Sequence, residues 1–143
     1  NEKVDYRYIA WLKNSTEISG TTYSIFNKYQ SQSSDSLYNQ MIPLIKVSEA
    51  YLIATECSED YYESLKIYNT LRNHRGLLSK ATMYQNDIDA EWIREFWGDG
   101  QLFFYYKRNN LQTIKDATSQ YGTRTVTENN YVLPLPDGET KYN

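Results

Sequence analysis

Two carboxylates, Glu49 and Glu56, stand seven residues apart in a segment rich in apolar side chains. If that segment is a helix, both project from one face, two turns and about 10.5 Å of axial rise apart. Paired carboxylates hydrolyse glycosides when they lie about 5–5.5 Å apart, for retention, or about 6.5–9.5 Å apart, for inversion. The spacing here excludes the first geometry and fits the second poorly. The structural role suits them better. A carboxylate on a helix that is apolar elsewhere is expected to be buried and matched by a cation or a backbone donor. Arg72, Arg75 and Arg94 are the cations that the following segments supply.

The remaining reactive residues form no catalytic set. Glu91, Glu95 and Asp99 recur every four residues, but no oxygen-rich turn accompanies them as a cation cage requires. A solvated or Arg-paired face is expected. His74 is the single histidine and has no nucleophile or acid beside it, so a position near helix C-terminal carbonyls suits it. Cys57 is the single cysteine, which excludes an internal disulfide and a cysteine-based zinc site. Gly98-Asp99-Gly100 lacks the strand and the longer glycine pattern of a phosphate loop. No catalytic residue, metal site or cofactor is expected. What stands out is 15 tyrosines and 3 tryptophans in 143 residues. Their flat apolar faces and polar tips suit sugar stacking and wet interfaces, although most will serve packing. In the non-helical N-terminal part, Trp11, Tyr23 and Tyr29 are the candidates for ligand stacking.

The elements that must position these residues are mostly helical. The length fits one domain with a single core, and 40% hydrophobic residues separate it from disordered chains. A net charge of -3, from 15 basic and 18 acidic residues without a basic cluster, lacks the footprint of a nucleic-acid binder. No apolar run approaches the roughly 20 residues of a membrane helix, and no signal peptide opens the chain. Residues 1–40 read as extended or looped: aromatic and branched residues flank Gly20, and a Ser/Gln-rich loop covers 30–36. Residues 41–110 read as the helical core. A first helix over 43–57 starts at Pro43 and is apolar all round, hence buried. A second is capped by Asp60, with Glu63 completing a capping box, carries Tyr61, Leu65, Tyr68 and Leu71 inward, and ends at Gly76 with Leu77 behind it. A third begins near Asn86 or Asp87 and turns Ile88, Trp92 and Phe96 inward. A fourth covers 101–109 after the two glycines. Residues 111–143 read as irregular, with a short helix at 112–117, a strand at 131–135 and a turn at Asp137-Gly138. The fold class is therefore mainly α, tetratricopeptide-like helical pairs with a few short peripheral strands, although no sequence repeat is visible.

Four segments in order resemble the SusD/RagB family of outer-membrane nutrient-binding lipoproteins. Ile42-Pro43-Leu44-Ile45-Lys46-Val47-Ser48-Glu49-Ala50-Tyr51-Leu52-Ile53-Ala54-Thr55-Glu56 is similar to that family's signature helix. Asn69-Thr70-Leu71-Arg72-Asn73-His74-Arg75-Gly76-Leu77 resembles its Asn-x-x-Arg segment ending in Gly-Leu. Residues 91–108, with Arg94-Glu95-Phe96-Trp97-Gly98-Asp99-Gly100-Gln101, resemble its Glu-Phe-x-Gly-Glu-Gly-Gln block. Tyr131-Val132-Leu133-Pro134-Leu135-Pro136 is similar to its closing Pro-x-Pro, and Asp5-Tyr6-Arg7 to an upstream Asp-x-Arg. Lys46, Trp92, Leu102 and Tyr105 depart from the family's usual residues, which points to a subfamily with more aromatic packing.

The resemblance implies the C-terminal portion of a longer lipoprotein, surface-exposed on an outer membrane, here as a soluble fragment without signal or anchor. Such proteins are not enzymes. They capture a glycan, or in some members a peptide, and pass it to a SusC-type TonB-dependent transporter. Nutrient capture without catalysis is thus the expected function. The alternative is a helical-repeat adaptor for protein partners with no carbohydrate role.

Overall fold

The computed structural model describes residues 4–12, 15–29, 43–116 and 122–133. Its elements, in chain order, are α1 (Tyr6–Leu12), β1 (Ser15–Ile18), β2 (Thr21–Ser24), α2 (Val47–Cys57), α3 (Tyr61–His74), α4 (Gln85–Phe96), α5 (Leu102–Arg108), β3 (Thr113–Lys115), β4 (Thr123–Thr125) and a 3-10 turn at Glu128–Tyr131. The chain is mainly helical, with helical pairs and two small antiparallel sheets of short strands. It divides into two compact units, 1–88 and 89–143, with the boundary inside α4.

In the first unit α2 packs on α3 across a three-residue connection, and so short a link makes the two antiparallel. The Ser64 hydroxyl donates to the Thr55 carbonyl at 2.6 Å, joining the buried faces of the pair. Asp60 caps α3 by accepting from the Tyr62 and Glu63 amides at 2.7 and 2.9 Å. Glu63 itself takes Lys66 rather than closing the box. α3 stops at Gly76, whose φ of 76° places it in the left-handed region. The Leu77 amide donates to Arg72 O and the Gly76 amide to Asn73 O, the paired bonds that satisfy a helix's last carbonyls. The buried apolar residues here are Leu52, Tyr68, Leu71, Met83 and Ile88.

Further expectations fail in this unit. Residues 6–12 form a helix, not a strand, because α1 is docked from outside: the Tyr6 amide donates to Arg75 O and the Tyr6 ring lies against Gly76. The hairpin around Gly20 does form, with Thr16 opposite Tyr23 and Ile18 opposite Thr21. α2 begins at Val47 rather than Pro43, with Lys46 at its extended N-cap. It is not apolar-buried all round: only Ser48, Leu52 and Thr55 are buried, and Val47 and Ile53 are exposed. Tyr61 is exposed as well; its hydroxyl instead holds Met83, accepting from the amide at 2.9 Å and donating to the carbonyl at 3.4 Å. The loop expected at 30–36 lies outside the described residues.

In the second unit, Gly98 and Gly100, with φ of 79° and 77°, turn the chain from α4 into α5. The Trp92 ring stacks on Tyr105 at 4.7 Å and lies 4.8 Å from Phe96. Asn110, with φ of 47°, ends α5 as Gly76 ends α3: the Leu111 amide donates to Tyr106 O and the Asn110 amide to Lys107 O. Residues 112–116 hold strand β3, paired with β4, and no helix; residue 117 of the helix expected at 112–117 lies outside the described residues. Thr113 and Ile114 favour an extended chain. Tyr131 closes the 3-10 turn instead of opening a strand. Its hydroxyl donates to Leu111 O at 2.6 Å, and burial pushes its pKa up. The closing Pro-x-Pro and the Asp137-Gly138 turn lie outside the described residues. No helix among the described residues is long and apolar enough to cross a membrane.

Candidate functional site

Two of the three candidate aromatics gather in the first unit. The Asn27 amide donates to Trp11 O at 2.7 Å, which folds the segment after β2 back on α1 and brings Lys28 over the Trp11 ring, 4.4 Å from its centroid. The same ammonium lies 5.6 Å from the Tyr29 ring. Lys46, just before α2, reaches Tyr29 from its hydroxyl end, donating to that oxygen at 3.3 Å. Trp11, Lys28, Tyr29 and Lys46 are all half-buried. The arrangement is a small cationic-aromatic cluster assembled from three separate segments. Lys28 covers one face of Trp11, so less of that ring is open for sugar stacking than the sequence implied. Tyr23 is 51% exposed, on β2, and neither cation nor ring is brought to it among the described residues.

The burial of the carboxylates differs from the expectation. Glu49 and Glu56 do share one flank of α2, but both are half-buried rather than buried. Arg72 donates from Nε to Leu78 O at 3.1 Å, with its guanidinium over Tyr68, and Arg75 supplies the carbonyl that holds Tyr6. Arg94 pairs with Glu91, one turn away on its own helix, at 2.8 Å. The buried glutamates among the described residues are instead Glu91 and Glu95, at 0% and 2% exposure. Both fall on the α4 face that carries Ile88, Trp92 and Phe96, so their burial was legible in the spacing. Asp89 accepts from the Tyr105 hydroxyl and fixes α5 to α4.

The buried ion pair that the sequence reading passed over is Asp5–Arg7. Arg7 donates from Nε to Asp5 Oδ1 at 3.0 Å and from Nη2 to Oδ2 at 2.7 Å, and both residues are buried. The two-pronged geometry is the strong form of this contact. The signal was present in the Asp-x-Arg spacing, read only as a motif match. A second ion pair, Lys80 with Asp87, secures the start of α4. Asp87 also accepts from the Tyr84 amide at 3.0 Å. Partial burial pushes its pKa up, but the Lys80 and Tyr84 hydrogen bonds and the charges of Lys80 and Arg72 outweigh that and hold it below 3.8.

His74 ends α3 and is exposed. Among the described residues, no group of three or more His, Cys, Asp and Glu is placed to hold a metal ion. What the arrangement offers chemically is aromatic rings beside ammonium groups. No family model, curated protein or solved structure matches the chain.

Proposed function

We propose that the chain is a non-catalytic binding domain, the C-terminal portion of a SusD/RagB-like surface lipoprotein that captures a glycan and passes it to a SusC-type TonB-dependent transporter. The supporting observation is the work done by the residues that carry the resemblance. Gly76 ends α3 in the left-handed region. Gly98 and Gly100 turn α4 into α5. Glu91 and Glu95 are interior struts of α4, and Asp5 and Arg7 clamp one another beside α1. Each is a scaffold position, so their shared order along the chain is a signature of architecture, not of chemistry.

In this reading the chain's own contacts with sugar are limited to Trp11, Tyr23 and Tyr29. Aromatic contacts contribute about 0.5–1.5 kcal/mol each beyond burial, and millimolar affinity already requires about 4 kcal/mol. Calorimetric titration against a glycan panel tests the proposal. The full-length protein is expected to bind at least one glycan, the 143-residue chain none measurably, and neither to hydrolyse any. Micromolar binding by the chain alone, or turnover abolished by Glu49→Gln or Glu56→Gln, refutes it.

One observation favours a second reading. The outer face of α2 is apolar and exposed at Val47 and Ile53, which suits a helical-repeat adaptor that docks a protein and has no carbohydrate role. A full-length protein that binds no glycan while retaining a protein partner through α2 selects this alternative.

A further inference from the structure

The two faces of α2 differ in kind. Ser48, Leu52 and Thr55 are buried in the first unit. On the opposite side Val47, Ala50, Ala54 and Cys57 are all exposed, spaced three, four and three residues apart. That is the spacing of a coiled-coil seam, and no charge interrupts it. Ile53, beside the seam, is 43% exposed, and Leu44 and Ile45, just before the helix, are 86% and 88% exposed. An apolar stripe of this length facing water marks an interaction surface.

We propose that this face is the interface of a homodimer, in which α2 packs antiparallel on α2 of a second copy about a two-fold axis. Self-complementarity selects the second copy as occupant. In the antiparallel arrangement Val47 of one copy meets Cys57 of the other and Ala50 meets Ala54. The small alanines at the centre let the two helix axes approach closely. Ile53 and Tyr51 flank the axis on its two sides, so each meets its own counterpart. Charge points the same way. Lys46 stands at the start of α2, whereas its end leads into Glu59 and Asp60. Antiparallel packing sets the cation of each copy beside the acids of the other; parallel packing sets like ends together. Glu49 and Glu56 fall on the flank, off the seam. The proposal is independent of any glycan role.

Sedimentation velocity of the 143-residue chain over a wide concentration series tests it. The mass is expected to rise from 16.9 kDa toward twice that value. Ala50→Glu, at an exposed position, is expected to raise the dissociation constant at least about tenfold, equivalent to about 1.4 kcal/mol, without altering the monomer's melting. In a Cys57→Ser background, Ile53→Cys places a thiol beside the two-fold axis and is expected to cross-link on oxidation, while Lys66→Cys on the exposed face of α3 does not. A chain that stays at 16.9 kDa throughout overturns the proposal. So does a dimer that Ala50→Glu leaves intact, or in which Ile53→Cys cross-links no better than Lys66→Cys.

Discussion

Replacing Gly76 by Ala tests the joint between α1 and α3. Gly76 holds φ at 76°, and a residue with a side chain costs roughly 1–2 kcal/mol there. The new Cβ would also stand 2.6 Å from Tyr6 Cε1 and 2.7 Å from Cζ, so the ring must move. Tyr6 is 59% exposed, which leaves about two-fifths of its surface covered. A fully buried aromatic hides about 150–250 Å², so the covered part is roughly 60–100 Å². At about 25 cal/mol per Å² its loss costs at most about 1.5–2.5 kcal/mol. Gly76→Ala is therefore expected to destabilise by about 2–4 kcal/mol, read as a shift of the urea midpoint at constant slope. In a Tyr6→Ala background only the backbone cost of roughly 1–2 kcal/mol should remain, leaving a coupling of about 1 kcal/mol or more, above the few tenths seen for independent sites. Equal costs in both backgrounds refute the contact, and a neutral Gly76→Ala refutes the backbone argument as well.

Arg7→Ala leaves the buried Asp5 carboxylate without its two-pronged partner and is expected to cost about 3–5 kcal/mol in denaturant unfolding; a loss under about 1 kcal/mol would contradict a buried pair. Asp87, with its pKa held below 3.8 in the folded chain, contributes stability that is present above the carboxylate's ordinary range and disappears as the pH falls through the lowered value. Asp87→Asn should therefore flatten the acid limb of the stability–pH curve and leave a constant deficit near neutrality; an unchanged acid limb refutes this. Arg94→Ala, which removes one charged partner of the interior Glu91, is expected to lower thermal stability far more than Glu56→Ala on the half-buried flank of α2, and differential scanning calorimetry ranks the two.

Where structure is written locally, the sequence was readable. The second helix was located from Asp60 and Gly76 because a cap and a left-handed stop act on neighbouring amides and carbonyls. The third and fourth followed from the Ile88, Trp92 and Phe96 spacing and the glycines after them. α1 was misread because Tyr6, Tyr8, Ile9 and Trp11 favour strands in isolation. Its helix depends on Asp5, Arg7 and a glycine some seventy positions away, none of which a local pattern weighs. The same holds for α2: composition made it look interior on every side, whereas packing on α3 covers one stripe and leaves the opposite one in water. Of the candidate site, the aromatic residues were identified, but not the lysines that cover them, since Lys28 meets Trp11 and Lys46 meets Tyr29 only once three separate segments are gathered.

The grip of Tyr6 on the end of α3 also makes the first unit a closed loop. Closing roughly seventy residues of free chain costs about 4 kcal/mol of entropy, a cost the intact backbone keeps low once the rest of the unit has formed. A protease cut at the exposed Ser19-Gly20 turn removes that tether and turns α1 from a covalent part into a bound peptide. Its retention then follows mass action: it stays at high concentration, leaves on dilution, and returns when the free peptide is added back.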